Sequence, residues 1–221
     1  MRSVIRSVIS DFEQDNAHLV EPVTALLDRF CAEPRLHARF MNTLSLMEHI
    51  GSRKIMATQH GDDLDQPTLK HLAEETRHAF FFKRHAERAA RRTLSYGAPE
   101  LVAPAAARMY FQRLEAGIAR RVRDDAERRA VYLYTSMIVE FRAVWAYRLY
   151  QDALGRAGLP VSLKSLVAEE VGHLADMAGR LNDLGAFSTD RVAAFCAEER
   201  RLFERLVDAL DAGGNAVADA A

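Results

Sequence analysis

The chain has 221 residues, 49% of them hydrophobic and 28% charged, with a formal net charge of -1. That is enough apolar sequence for one domain with a sizeable core, and the near-zero charge excludes a global field that would gather nucleic acid or an anionic membrane. Gly and Pro are scarce, at 11 and 6 residues, which points away from a turn-rich β protein and toward an all-α one.

Taken in order, the opening stretch Met1 to Ser10 interrupts its apolar residues with Arg6 and Ser7. It lacks the continuous apolar run of a signal peptide, and no later stretch is long and apolar enough to span a bilayer, so a cytoplasmic protein is expected. An N-terminal helical segment runs to about Ala32, with Pro22 as its expected break. Glu33-Pro34 opens a first long helix ending near His60-Gly61, with the stripe Met41, Leu44, Glu48, Ser52, Ile55. Asp62 to Pro67 reads as a turn and helix start, with acids at the positive end and Pro in the first turn. The second long helix reaches about Ser95 with the stripe Leu72, Glu75, His78, Phe82, His85, Ala89, and Tyr96 to Pro99 stops it.

A further helix is expected from about Glu100 to Val122. Asp124-Asp125 then caps a third core helix to Leu154-Gly155, whose stripe is Leu133, Met137, Glu140, Val144, Tyr147. A fourth runs from Ser162 to near Leu184 with the stripe Leu166, Glu170, His173, Met177, Leu181. A last helix spans about Ser188 to Asp211. Residues 1–212 thus read as one domain with its core at about 34–185, and the Gly213-Gly214 pair opens a flexible tail, 213–221. Cys31 and Cys196 belong to no Cys-x-x-Cys pair, so a zinc ribbon or rubredoxin-like iron site is not encoded, and two buried thiols are expected.

Glu75-Thr76-Arg77-His78 and Glu170-Val171-Gly172-His173 repeat one pattern, a carboxylate and an imidazole three residues apart. On a helix that spacing points both to one face. Each copy has an upstream glutamate on the preceding core helix: Glu48 lies 27 residues before Glu75, and Glu140 lies 30 before Glu170. From Glu48 to the first turn is roughly 17 Å of helix and from that turn to Glu75 roughly 14 Å, so the two sit at similar depth in an antiparallel hairpin. The intermediate helix covers roughly 30 Å, enough to return the chain along one bundle length and leave the third core helix parallel to the second. Four carboxylates and two imidazoles suit a pair of oxygen-preferring transition metals. Carboxylates inside apolar stripes such as Met137 to Phe141 need nearby positive charge to stay ionised, and two divalent cations supply it. The competing expectation is that these glutamates pair with Arg77, Arg142 or Arg180 on a solvated face.

Glu48, Glu75-x-x-His78, Glu140 and Glu170-x-x-His173 together resemble the ferritin-like di-iron carboxylate superfamily over about Leu44 to Leu184. The stretches Ile138 to Tyr147 and Glu169 to Leu174 are similar to aldehyde-deformylating oxygenase-type members. The resemblance implies a ferritin-like four-helix bundle with one long crossover and added helices, and two iron ions (manganese or a mixed pair being alternatives) held by all six residues. It implies an oxidase or oxygenase acting with dioxygen on a small organic substrate, supplied by an external electron donor, with a homodimer as the candidate assembly. Alternatives are a ferroxidase without organic substrate and a tRNA-modifying hydroxylase. The last would use Arg84, Arg88, Arg91, Arg92 and Arg120, Arg121, Arg123, Arg128, Arg129, but Asp124, Asp125 and Glu127 interleave them as on a solvated face. Tyr147 is the candidate catalytic side chain. Glu74 and Glu169 are expected to be solvated or to support the ligands. His71 and His85, seven residues either side of His78 near the same stripe, are expected to be polar core or surface, with a proton relay or ligand support as the alternative, and Phe82 to be core or to line a channel.

Overall fold

A computed structural model of the chain describes residues 2–58, 65–121 and 125–218. Among them are eight α-helices and no strands: α1 (Arg2–Asp15), α2 (Val20–Ala32), α3 (Pro34–Thr58), α4 (Gln66–Ala90), α5 (Pro104–Ala119), α6 (Asp125–Arg156), α7 (Lys164–Asp183) and α8 (Thr189–Ala218). None is long and apolar enough to cross a membrane. The expected end of the first long helix at His60-Gly61, the turn at Asp62 to Leu64, the Asp124 cap and Arg123 lie outside the described residues.

Local chemistry explains most boundaries. The break in the N-terminal segment falls at Asn16, whose side-chain amide bonds Phe12 O at 2.7 Å, and not at Pro22. Pro22 sits in the first turn of α2, where its missing N–H has no intrahelical acceptor to lose. Extended Glu33 ends α2. Its carboxylate accepts from the backbone amides of Arg35 and Leu36, so it opens α3 with Pro34 as the first helical residue. Asp65 caps α4 by accepting from Thr68 N at 2.7 Å, with Pro67 in the first turn as expected. The helix stops at Arg91 in the left-handed region (φ 54°), earlier than the expected Ser95.

The packing follows from side-chain registers. Ser45 Oγ bonds Ala79 O at 2.6 Å and Lys83 Nζ bonds Asn42 Oδ1 at 2.9 Å, so α3 and α4 run antiparallel. Leu163 N bonds Gln151 Oε1 at 2.7 Å and Arg180 lies over the Tyr132 ring, so α6 and α7 are antiparallel too. His71 meets Tyr132 while Phe82 meets Tyr147; both numbers rise together, so α6 runs parallel to α4. α5 makes the return that this requires. α2, α5 and α8 cover α3 and α6 from outside.

Part of the stretch 213–221 expected as a flexible tail is helical. α8 continues through Gly213 and Gly214 to Ala218, and only residues 219–221 fall outside the description. A Cβ on Gly214 would come within 2.8 Å of the Phe30 ring, so the glycine is what lets α8 lie against α2. Arg29 secures that approach through Asp211 and Asn215, each at 2.8 Å. Tertiary contact here outweighs the low helix propensity of two glycines.

A candidate dinuclear metal centre

All six predicted ligands are buried, and they converge from four helices: Glu48 on α3, Glu75 and His78 on α4, Glu140 on α6, Glu170 and His173 on α7. They form two adjoining groups. In one, donor atoms of Glu48, Glu75, His78 and Glu170 all lie within 4.8 Å of one another; in the other, those of Glu75, Glu140, His173 and His71 do. Such groups can hold metal ions. Glu75 belongs to both. The Glu170 carboxylate also spans them, with Oε1 3.0 Å from His78 Nδ1 and Oε2 2.8 Å from His173 Nδ1. Glu48 and Glu140 sit at opposite ends. The two motif glutamates are therefore the shared carboxylates, an allocation that spacing along the chain does not specify.

The imidazoles are held from behind. His78 Nε2 contacts Glu169 Oε2 at 2.7 Å and His173 Nε2 contacts Glu74 Oε2 at 2.9 Å. The residue preceding each motif glutamate thus orients the histidine of the other motif, because α4 and α7 are antiparallel and each places that residue toward its neighbour. Each Nδ1 is left facing the carboxylates, as in carboxylate–histidine–metal triads. Arg77 anchors Glu169 at 2.5 Å and Lys70 anchors Glu74 at 3.0 Å.

The electrostatics call for cations. Burial first, then repulsion from Glu75 and Glu170, pushes the Glu48 carboxyl well above its ordinary range. Burial and then Glu140 raise Glu170. Burial also works against charge on the imidazoles, but the surrounding carboxylates outweigh it. Glu140 and Glu75 lift His71 to about 9, Glu170 lifts His78 to about 10, and Glu140 and Glu170 lift His173 to about 12. Burial and Glu75 oppose the charge on Glu140, yet His173 and His71 hold its carboxyl low. The carboxylates thus favour positive charge among the imidazoles, a role that metal ions could fill. Glu75 Oε1 is buried with no hydrogen-bond partner, and His78 Nδ1, although 3.0 Å from Glu170 Oε1, does not meet it in hydrogen-bonding geometry. Two orphaned donor atoms aimed into a carboxylate cluster fit a metal centre, since such atoms otherwise carry an uncompensated desolvation cost.

The competing arginine pairing does not occur. Arg77 pairs with Glu169, Arg142 with Glu199 and Arg180 with Asp65, leaving the six residues to one another. Tyr147 donates a hydrogen bond to Glu48 and is itself buried, with its hydroxyl pushed well above its ordinary range by burial and Glu48. His71, expected to lie near the stripe, belongs to the second donor group. His85 packs on Phe81 instead, ring centroids 4.6 Å apart. Phe82 is fully buried against Tyr147 and lines neither cavity described below, so the channel expectation for it is not met. Cys31 and Cys196 are free and buried.

Two cavities reach the centre. A largely apolar one of about 110 Å³ is bounded by Leu26, Phe40, Leu44, Met47, Phe111, Ala143, Ala146 and Leu206, and its wall includes Glu48, Glu75, Glu140 and Tyr147. A smaller one of about 50 Å³ lies on another side, among Lys54, Glu115, Tyr132, Thr135 and Ser136, and also touches His71, Glu75 and Glu140. No protein-family model matches the chain, and neither the curated proteins nor the solved structures contain a match to it.

Proposed function

We propose that the chain is a ferritin-like four-helix bundle with one long crossover, and that it is a di-iron oxidase or oxygenase acting on a small apolar organic molecule. The parallel α4 and α6, joined through α5, support the bundle. One observation carries the activity: three carboxylates of the candidate centre stand in the wall of a largely apolar cavity. A substrate seated there is desolvated and touches the reacting centre directly.

A pair of ferrous ions held by Glu48, Glu75, His78, Glu140, Glu170 and His173 supplies reductive activation of dioxygen. The chain's own residues do the rest. Glu75 and Glu170 keep the two positions adjacent, Glu169 and Glu74 hold the imidazoles, and Leu44, Met47, Ala143 and Leu206 exclude water from the substrate. Tyr147 holds a proton at its hydroxyl beside Glu48. For an oxygenation, an external donor supplies two electrons and solvent two protons; one oxygen atom enters the substrate and the other leaves as water. Nucleic acid is outside this reading, because acidic residues interleave the arginine runs and Arg92 and Arg121 are paired with Glu100 and Glu198.

The test is oxygen consumption by the anaerobically iron-loaded chain with a chemical reductant, with and without medium-length aldehydes, alcohols and alkanes. Substrate-dependent uptake with an oxygenated or cleaved product is expected. Uptake that stops once the bound iron is oxidised, whatever is added, would replace this reading with a ferroxidase.

A further inference from the structure

The two halves of the centre are not equivalent. One carries a single imidazole, His78; the other has His173 and a second imidazole from His71, four residues before Glu75 on α4. We propose that His71 is a seventh protein ligand, bound through Nε2, so that the chain builds one nitrogen-rich and one nitrogen-poor metal position. The proposal rests on the metal-centre reading above and adds an unequal pair of positions to it.

Distances carry it. Neighbouring ligands about 2.1 Å from an octahedral ion stand about 3.0 Å apart, and opposite ones about 4.2 Å. His71 Nε2 lies 3.2 Å from Glu140 Oε1 and 3.5 Å from Glu75 Oε1. His173 Nδ1 lies 3.6 Å from each of the same two oxygens. His71 therefore stands at least as close to the shared oxygens as an imidazole already assigned by its motif. The two rings are 4.3 Å apart, so they present their nitrogens to one small volume. His71 is 3% exposed, so Nε2 has the carboxylates of Glu140 and Glu75, not solvent, as its neighbours.

The back of the ring is held as a ligand's would be. Tyr132 Oη lies 2.9 Å from His71 Nδ1. The hydroxyl can accept the Nδ1 proton and leave the Nε2 lone pair facing the carboxylates. The other two imidazoles are backed by the carboxylates of Glu169 and Glu74; this one is backed by a neutral group. A carboxylate makes the imidazole it supports more electron-donating, so His71 is the weaker donor of the three and contributes chiefly by raising the nitrogen count at one position. The expected consequence is ordered loading, with the position of His71, His173, Glu75 and Glu140 filled first by metals that favour nitrogen, such as cobalt over manganese.

The test is a crystal structure of the full chain loaded with Co(II), with an anomalous-difference map, beside Co(II) titrations of the wild type, His71→Ala and His85→Ala. Two cobalt positions are expected in the wild type, with His71 Nε2 about 2.1 Å from one of them. His71→Ala should lose affinity for one equivalent by about 10- to 100-fold or more, with an altered Co(II) absorption spectrum, while His85→Ala matches the wild type. Two cobalt ions with Nε2 farther than about 3 Å from both would overturn the seventh ligand and leave the dinuclear centre standing. So would an unchanged titration and spectrum in a folded His71→Ala. A wild type that binds no cobalt between these residues would remove both.

Discussion

The interior holds two polar clusters of opposite design. Around Arg142, charge is balanced: Nε and Nη2 donate to the two Glu199 oxygens at 2.9 and 2.7 Å, Asn16 accepts at 2.7 Å, and Tyr110 donates to Glu199 at 2.6 Å. The guanidinium also stacks on Phe203, 3.9 Å from the ring centroid, with Phe12 and Trp145 beside it. Around Glu75 four carboxylates meet three imidazoles, those of His71, His78 and His173. The first cluster carries its own arginine countercharge, although Arg142 Nη1 has no hydrogen-bond partner, and it joins α8 to α6. The second has only imidazoles as countercharge, and its buried groups could hold metal ions. Burial alone does not separate the two clusters; the kind of countercharge does, a fixed guanidinium in one and imidazoles able to take metal in the other.

The largest effect should come from breaking the carboxylate–imidazole cluster. Glu140→Ala or His173→Ala should abolish stoichiometric binding of two metals while circular dichroism keeps its helical signal; two retained metals in either would contradict the assignment. In the wild type, metal at about 1,000 times its dissociation constant should stabilise the fold by about 4 kcal/mol, and a chelator should reverse that in a thermal melt. Next comes the balanced cluster. Arg142→Ala strands Glu199 in the core and should lower the unfolding free energy by about 3–5 kcal/mol, whereas Glu170→Gln in metal-free protein should be neutral or stabilising. Opposite signs in denaturant titrations would affirm the contrast, and equal losses would erase it.

A third buried polar pair, uncharged, gives an intermediate effect. His37 contacts the Tyr150 hydroxyl at 2.6 Å, and burial, then the charge of His85, lowers its imidazole to about 4. The unfolded chain takes up that proton near its ordinary 6.5. The neutral ring's contribution is thus full above pH 6.5 and is lost as pH falls toward 4. Between pH 7 and about 4.5 the wild type should lose roughly 2–3 kcal/mol more than His37→Gln in denaturant titrations. The smallest change concerns the end of the helix that carries Glu199. Deleting residues 213–221 should uncover Phe30 and lower stability by about 1–2 kcal/mol; a flexible tail would give no change in melting temperature.

Two helical turns' worth of pattern made the candidate centre legible. Glu75 and His78, like Glu170 and His173, share a face by covalent spacing alone, and Glu48 and Glu140 stand out as charges in apolar stripes. His71 was ambiguous for a definite reason. It and His85 both lie seven residues from His78, one on each side. What α6 brings alongside separates them: Tyr132 and Glu140 beside His71, while His85 meets Phe81. Glu74 and Glu169 lie one residue, about 100° of helix, from the motif carboxylates. They acquire roles only because an antiparallel neighbour faces them. Gly213 and Gly214 read as a loose end because propensity is local, whereas the Val102–Ala103 segment and the Phe30 ring that they respectively approach are not.

The amino-acid order on its own determined the helices and the residues on each face, because a fixed rise and 3.6-residue period translate spacing directly into direction. Tertiary packing alone decided which carboxylates are shared, which histidines face them, and that an apolar cavity meets them. Those relations join side chains far apart along the chain, and their energies arise only when the helices exclude water between them.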